Sequence, residues 1–424
     1  MKGLLLFILF STLAPSVFGQ SALEDRIFDE NIKSLELFPQ DNRLGYPVLF
    51  LDNPNALVLA FDELNRDFQQ YVYTFQLCNA NWIPTDLSPN EYLDGFTEAY
   101  IENYQFSKNT KVPYIHYSLT FPNRDIQFRI SGNYILKVFP ENQANKPIFM
   151  KRFYVTNPLC SIFGNILAPS NPALQKTSQE ISFKVDISNL NSRFPSREIT
   201  TQIQQNGRYD NQINQLQALS ISDNILDFNL QKNNIFTAGN TFRFFDFSSL
   251  AYNSEYIYSI NRNEQIDKIE LLLAKERANK PYKNEVSLLG KFYIESKTYD
   301  NSDLEAEYAY VRFLLARAEP YLDADLYLLG GFDLWGLKHK LEYDFTNKVY
   351  STSILLKQGF YSYQFALKEK NQNFVDVASI EGSHFQTPNS YVIRIYFRAP
   401  GTTYDQLVGW QEIVNYTNQV NEQI

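Results

Sequence analysis

The chain is poor in the residues that most often carry chemistry. Its 424 residues include two cysteines, three histidines, three tryptophans and two methionines. Two thiols, Cys78 and Cys160, cannot supply the disulfide framework on which small exported domains depend. Buried free thiols are expected, with a bridge between them left open. His116, His339 and His384 fall in separate predicted elements, none with a second histidine at ligand spacing. That disfavours zinc and suits surface or hydrogen-bonded histidines. A Gly-rich phosphate loop and a Gly-x-Ser-x-Gly elbow are both lacking. Gly330-Gly331 follows a strand pattern but opens no helix, so it is no dinucleotide fingerprint. The net charge is −9 and the pI about 5.1. Without clustered Lys and Arg to neutralise phosphates, nucleic acid is excluded as a partner. No cofactor is implied.

Aromatic rings, by contrast, are plentiful, with 34 Phe and 29 Tyr. Rings favour pleated, half-buried surfaces, so the excess points to β-structure. Strict alternation confirms the period. Tyr71, Tyr73, Phe75 and Leu77 share one strand face, as do Ile115, Tyr117, Leu119 and Phe121, and then Phe149, Lys151, Phe153 and Val155. After Asn157-Pro158 the pattern resumes with Ile181, Phe183, Val185 and Ile187. Ile199, Thr201 and Ile203 run into Asn206-Gly207, the strongest hairpin signal in the chain. Later runs are Val311, Phe313 and Leu315; Tyr361, Tyr363, Phe365 and Leu367; and Tyr391, Ile393, Ile395 and Phe397. Residues 264–278 suit a helix by propensity and a buried strand by their Leu271–Leu273 run; a strand is expected.

The N-terminus reads as a secretion signal: Lys2, an apolar run from Leu4 to Leu13, and Val17-Phe18-Gly19 before the expected cut. The run is too short to span a bilayer comfortably, and no cysteine follows it to take a lipid. The expected division is therefore a signal peptide, 1–19; a first sandwich, 20–157; a second, 158–285; a third, 286–410; and a polar tail, 411–424. An all-β chain of three consecutive immunoglobulin-like β-sandwiches is expected.

Two acidic pairs, Glu305 with Glu307 and Asp323 with Asp325, would each share a strand face by alternation. Such pairs could serve glycoside hydrolysis or bind calcium, but solvated strand faces are the commoner origin. Leu328-Leu329-Gly330-Gly331-Phe332-Asp333-Leu334-Trp335, with Lys357-Gln358-Gly359-Phe360-Tyr361, resembles the starch- and glycogen-binding modules of the early-set immunoglobulin fold. That resemblance implies a carbohydrate-binding alternative with Trp335 as a stacking platform. A clear second platform is lacking, and a core role for Trp335 is the better reading.

The order of short motifs is more specific than any one of them. It runs Asn81-Trp82, Asn90-Glu91-Tyr92-Leu93-Asp94-Gly95-Phe96, Phe121-Pro122-Asn123, Ser131-Gly132-Asn133-Tyr134, Gln205-Asn206-Gly207, Gly239-Asn240, Leu356-Lys357-Gln358-Gly359, Glu381-Gly382-Ser383 and Tyr404-Asp405. In this order the motifs resemble the plug proteins of the Bacteroidetes type 9 secretion system, from about Leu44 to Gly409. Two departures stand out. Leu288-Leu289-Gly290 replaces an Asp-x-Asn-Gly turn, and Tyr209 stands where Trp is usual. The resemblance implies a non-catalytic periplasmic protein at the inner face of the outer membrane. It would dock on the giant translocon barrel and seal it. Loop aromatics Trp82, Tyr92 and Phe96 are the expected partner contacts, since aromatics concentrate binding energy.

Overall fold

The computed structural model describes residues 21–53, 55–64, 67–143, 146–262, 264–370 and 374–415; the signal segment lies outside them. Strand accounts for 46% of the chain and helix for 6%, which makes it all-β. The sheets stack as three sandwiches.

In the first, the sheet carrying Tyr71–Cys78, Gly132–Pro140 and Phe149–Thr156 faces the sheet carrying Ile32–Pro39, Leu57–Glu63, Ile115–Phe121 and Asn103–Phe106. The alternating aromatics meet between them. Phe75 lies 4.9 Å from Phe121 and 5.5 Å from Phe153, ring to ring. Tilted and edge-on pairs of this kind add about 0.5–1.5 kcal/mol each beyond area burial.

Two expectations change. Strands Ser390–Phe397 and Gln406–Val414 do not finish the third sandwich. Ser390–Phe397 pairs antiparallel with Ile199–Gln205, from Ile199 opposite Phe397 to Gln205 opposite Tyr391. Tyr391, Ile393 and Ile395 share a core with Ile181, Phe183, Val185 and Ile203. The second sandwich is thus built from two separated pieces of chain, and the third is inserted into it. The third also begins earlier than residue 286. Phe245 of strand Arg243–Asp246 stacks on Tyr361 at 5.4 Å. The supposed tail is strand as far as Val414, with Glu412 opposite Val392; residues 416–424 lie outside the described chain.

Segment 264–278 contains the strand Asp267–Leu271, which runs parallel to Tyr308–Ala316. Asn206 and Gly207 both take positive φ, 52° and 74°, as a type I′ turn requires, although seven residues separate the paired strands. The substituted turn survives as well. The Lys291 N–H donates to the Leu288 carbonyl at 3.0 Å, with Leu289 at φ 53° and Gly290 at φ 81°. Leucine is held here in a conformation that Asn or Gly adopts more readily. Cys78 and Cys160 are free thiols, both pushed up to about 12 by burial.

Candidate docking surface

The long connection between strands Tyr71–Cys78 and Ile115–Phe121 carries the aromatics expected to face a partner, and it separates them. Trp82 is only 4% exposed, so it is no surface anchor. Its ring meets Tyr154 edge-on at 5.3 Å and supports the Arg152 guanidinium at 4.5 Å. Tyr209, from the second sandwich, also lies against the Arg152 guanidinium at 4.4 Å, its ring edge-on to Trp82 at 6.2 Å. With Tyr in place of Trp at 209, a cation–π contact still joins the second domain to the first. Tyr92 is also internal, 1% exposed, and its hydroxyl donates to the Phe75 carbonyl at 3.1 Å.

Phe96 alone of the three is at the surface, 65% exposed. A two-strand ladder pairs Gly95 with Ile126, and the Phe96 N–H donates to the Asp125 carbonyl at 2.8 Å. A Cβ on Gly95 would stand 2.1 Å from that same oxygen, so only glycine allows the approach. Further along the connection, Tyr100, Tyr104 and Phe106 are also exposed. Tyr104 packs on exposed Phe68 at 4.3 Å and near Phe106 at 6.3 Å. Tyr100, Tyr104 and Phe106 lie on strands of three and four residues, Glu98–Tyr100 and Asn103–Phe106, too short to show alternation, and Phe68 lies in a loop, so the sequence pattern marks none of the four.

Trp335 is half-buried. Its ring meets Phe242 edge-on at 6.0 Å, and a Cβ on Gly290 would lie 2.2 Å from it. It fills the junction of the sandwiches rather than offering a flat face. The acidic pairs do not converge. Glu305 ends the short helix Ser302–Glu305, whereas Glu307 is buried and accepts the Lys111 and Val112 backbone N–H groups, so alternation does not relate them. Asp325 pairs with Lys340 at 2.9 Å. His116 Nδ1 donates to the Asp62 carboxylate at 2.7 Å. Among the described residues no group of three His, Cys, Asp or Glu could hold a metal ion. No described helix is long and apolar enough to cross a membrane.

The seams between sandwiches are polar and bonded. Between first and third, Lys357 Nζ meets Asp62 Oδ2 at 2.6 Å with both side chains 1% exposed. Tyr308 donates to the same carboxylate oxygen at 2.7 Å, and Lys111 pairs with Asp267 at 2.6 Å. Between first and second, the Ala80 N–H donates to Asp405 and its carbonyl accepts from Gln202, both at 2.9 Å. Buried bonds of this kind fix relative orientation, because loss of either partner strands the other.

A cavity of about 670 Å³ remains between first and third sandwiches, lined in part by Lys33, Asp333, Lys338 and His339. Burial pushes the Asp333 carboxyl up to about 7, only partly opposed by Lys338, and holds His339 down at about 4. The raised carboxyl contributes stability that is full below its unfolded value near 3.8 and lost as pH rises through about 7. The depressed histidine acts oppositely: stability grows as pH rises from about 4 toward 6.5. The two slopes offset in the wild type over that window. Asp333→Asn should remove the carboxyl slope, take away the carboxylate 3.6 Å from His339 Nε2, and stabilise the protein at pH 8 by on the order of 2 kcal/mol. Urea unfolding at pH 5, 6.5 and 8 measures both; an unchanged profile would show that Asp333 titrates normally.

The chain is thus an all-β protein of three joined sandwiches with exposed aromatics on one edge of the first. The comparisons identify it further. Residues 32–157, the first sandwich, match the family model described as type 9 secretion system plug protein 1st domain. The chain belongs to the type 9 secretion system plug family, as its motif order indicated. A crystal structure of a hypothetical protein from Parabacteroides merdae ATCC 43184 matches at 30% identity, with a TM-score of 0.90 over 93% of this chain and 100% of that one. No curated protein matches.

Proposed function

We propose that the protein acts without catalysis, as a periplasmic plug that docks on the periplasmic mouth of the giant outer-membrane translocon barrel and seals it against leakage. Family membership carries this reading. The bonded seams support it, because a plug must hold one shape against a rigid rim, and a preformed surface loses little entropy on docking. Such steric occlusion needs no bond made or broken. A carbohydrate-binding role draws no support from Trp335, whose ring is engaged with Phe242 and Gly290.

The test is affinity purification of tagged protein from native outer membranes without crosslinking. Recovery of the large barrel is the expected result. Recovery of polysaccharide alone, or of no barrel, would overturn the reading.

A further inference from the structure

One strand of the first sandwich has an open backbone edge. The Ser107 N–H donates to the Tyr114 carbonyl at 2.9 Å, and the same register sets Gln105 opposite His116 and Asn103 opposite Ser118. Antiparallel pairing alternates inward and outward groups. The amides of Asn103 and Gln105 therefore turn toward strand Ile115–Phe121, and those of Tyr104 and Phe106 turn away. On that outer side the sheet has no further strand among the described residues, since Asn103–Phe106 ends the order. All four residues are exposed.

Free edges are ordinarily guarded by Lys, Pro or a bulge. Asn103-Tyr104-Gln105-Phe106 has no such guard. Glu98–Tyr100, the end strand of the opposing sheet, is guarded only by Glu98. Among the described residues the exposed charges around the ring cluster are mostly acidic, with Asp67, Glu98, Glu102 and Glu141 against Lys108 just past the strand. An aromatic centre on an unguarded edge with an acidic rim fits a basic, extended strand. Main-chain bonds would give such a strand affinity and the rings would grip its side chains.

We propose that Asn103–Phe106 is a strand-addition site through which the protein takes up an extended basic segment of the translocon; this rests on the plug reading. Tyr104→Pro removes one outward amide and leaves the inner ladder whole, a position where edge strands tolerate proline. Recovery of the barrel from native outer membranes should fall about tenfold, with thermal unfolding little changed. Gln105→Pro, which breaks the inner ladder, should lower the melting temperature instead. Glu102→Lys changes no backbone bond and should reduce recovery several-fold through the rim charge. If Tyr104→Pro and Glu102→Lys both recover the barrel like wild type, the strand site is wrong while the plug reading stands. A wild-type protein that recovers no barrel overturns the plug reading, and the strand site falls with it.

Discussion

Lys357→Met should lower the unfolding free energy by about 3–5 kcal/mol, the usual cost of breaking a buried ion pair on one side. Lys357 Nζ lies 2.6 Å from Asp62 Oδ2 with essentially no solvent at either side chain. Burial by itself would raise the Asp62 carboxyl. Lys357 outweighs it, with help from His116, and holds the group below the ordinary carboxylate range. In the wild type, then, Asp62 contributes stability above its unfolded value near 3.9, and that contribution is lost as pH falls through the lower folded value.

Removal of the ammonium reverses the sign. Burial then dominates, the carboxyl rises, and stability falls as pH rises through the raised value. The deficit of Lys357→Met should accordingly be smaller at pH 5 than at pH 8. Asp62→Leu combined with Lys357→Met should regain most of the loss, because two apolar groups leave no stranded charge. His116 still reaches solvent, with its side chain 11% exposed, and Tyr308 keeps its 2.8 Å bond to Ser34. Urea unfolding of the single and double variants at both pH values is the measurement. Equal deficits at pH 5 and 8 would remove Asp62 as the cause.

This pair also marks the limit of what the sequence discloses. Lys357 sits in the motif Leu356-Lys357-Gln358-Gly359, where a lysine at a strand end reads as solvated. Its partner lies 295 residues away on another sandwich. Alternation identifies a strand and its inner face, so Tyr71–Cys78, Ile115–Phe121 and Ser390–Phe397 were all legible. It does not say which sheet a strand joins. Tyr391, Ile393 and Ile395 would suit either the second or the third core, and only the pairing with Ile199–Gln205 decides. The same ambiguity governs the site. Trp82 and Tyr92 look like loop aromatics until Arg152, Tyr154 and Phe75 close around them. Tyr104 and Phe106 become candidates only once their strand proves to be an edge.

Glu381→Gln should split one unfolding transition into two, with the third sandwich melting first. The third sandwich is tied to the second by two chain crossings, 238–242 and 382–389, and Glu381 stands beside both. It has no exposed surface, and its carboxylate accepts from Arg243 at 2.9 and 3.0 Å, from Arg277 at 2.8 Å and from the Phe365 N–H at 2.9 Å. Its own carbonyl accepts from Asn240 on the other crossing at 2.7 Å. Burial would raise the Glu381 carboxyl, but the two guanidinium groups outweigh it and hold it below the ordinary range. Glutamine keeps the volume and removes the charge, leaving two largely buried guanidinium groups with only Glu285, 3.8 Å from Arg277, as a partner anion. The expected loss is again about 3–5 kcal/mol. It falls on the hinge rather than on either hydrophobic core, because the core residues of the second and third sandwiches form separate clusters. Loss at the hinge therefore uncouples the domains before it melts them, and two-state behaviour fails. Scanning calorimetry reads this directly as a second, earlier peak. One peak merely shifted downward would mean that the seam with the first sandwich, through Lys357 and Asp62, keeps the third in place without the hinge. In that case barrel recovery should be unaffected by Glu381→Gln, whereas an uncoupled third sandwich should lower it, since a plug with a loose domain no longer presents one shape.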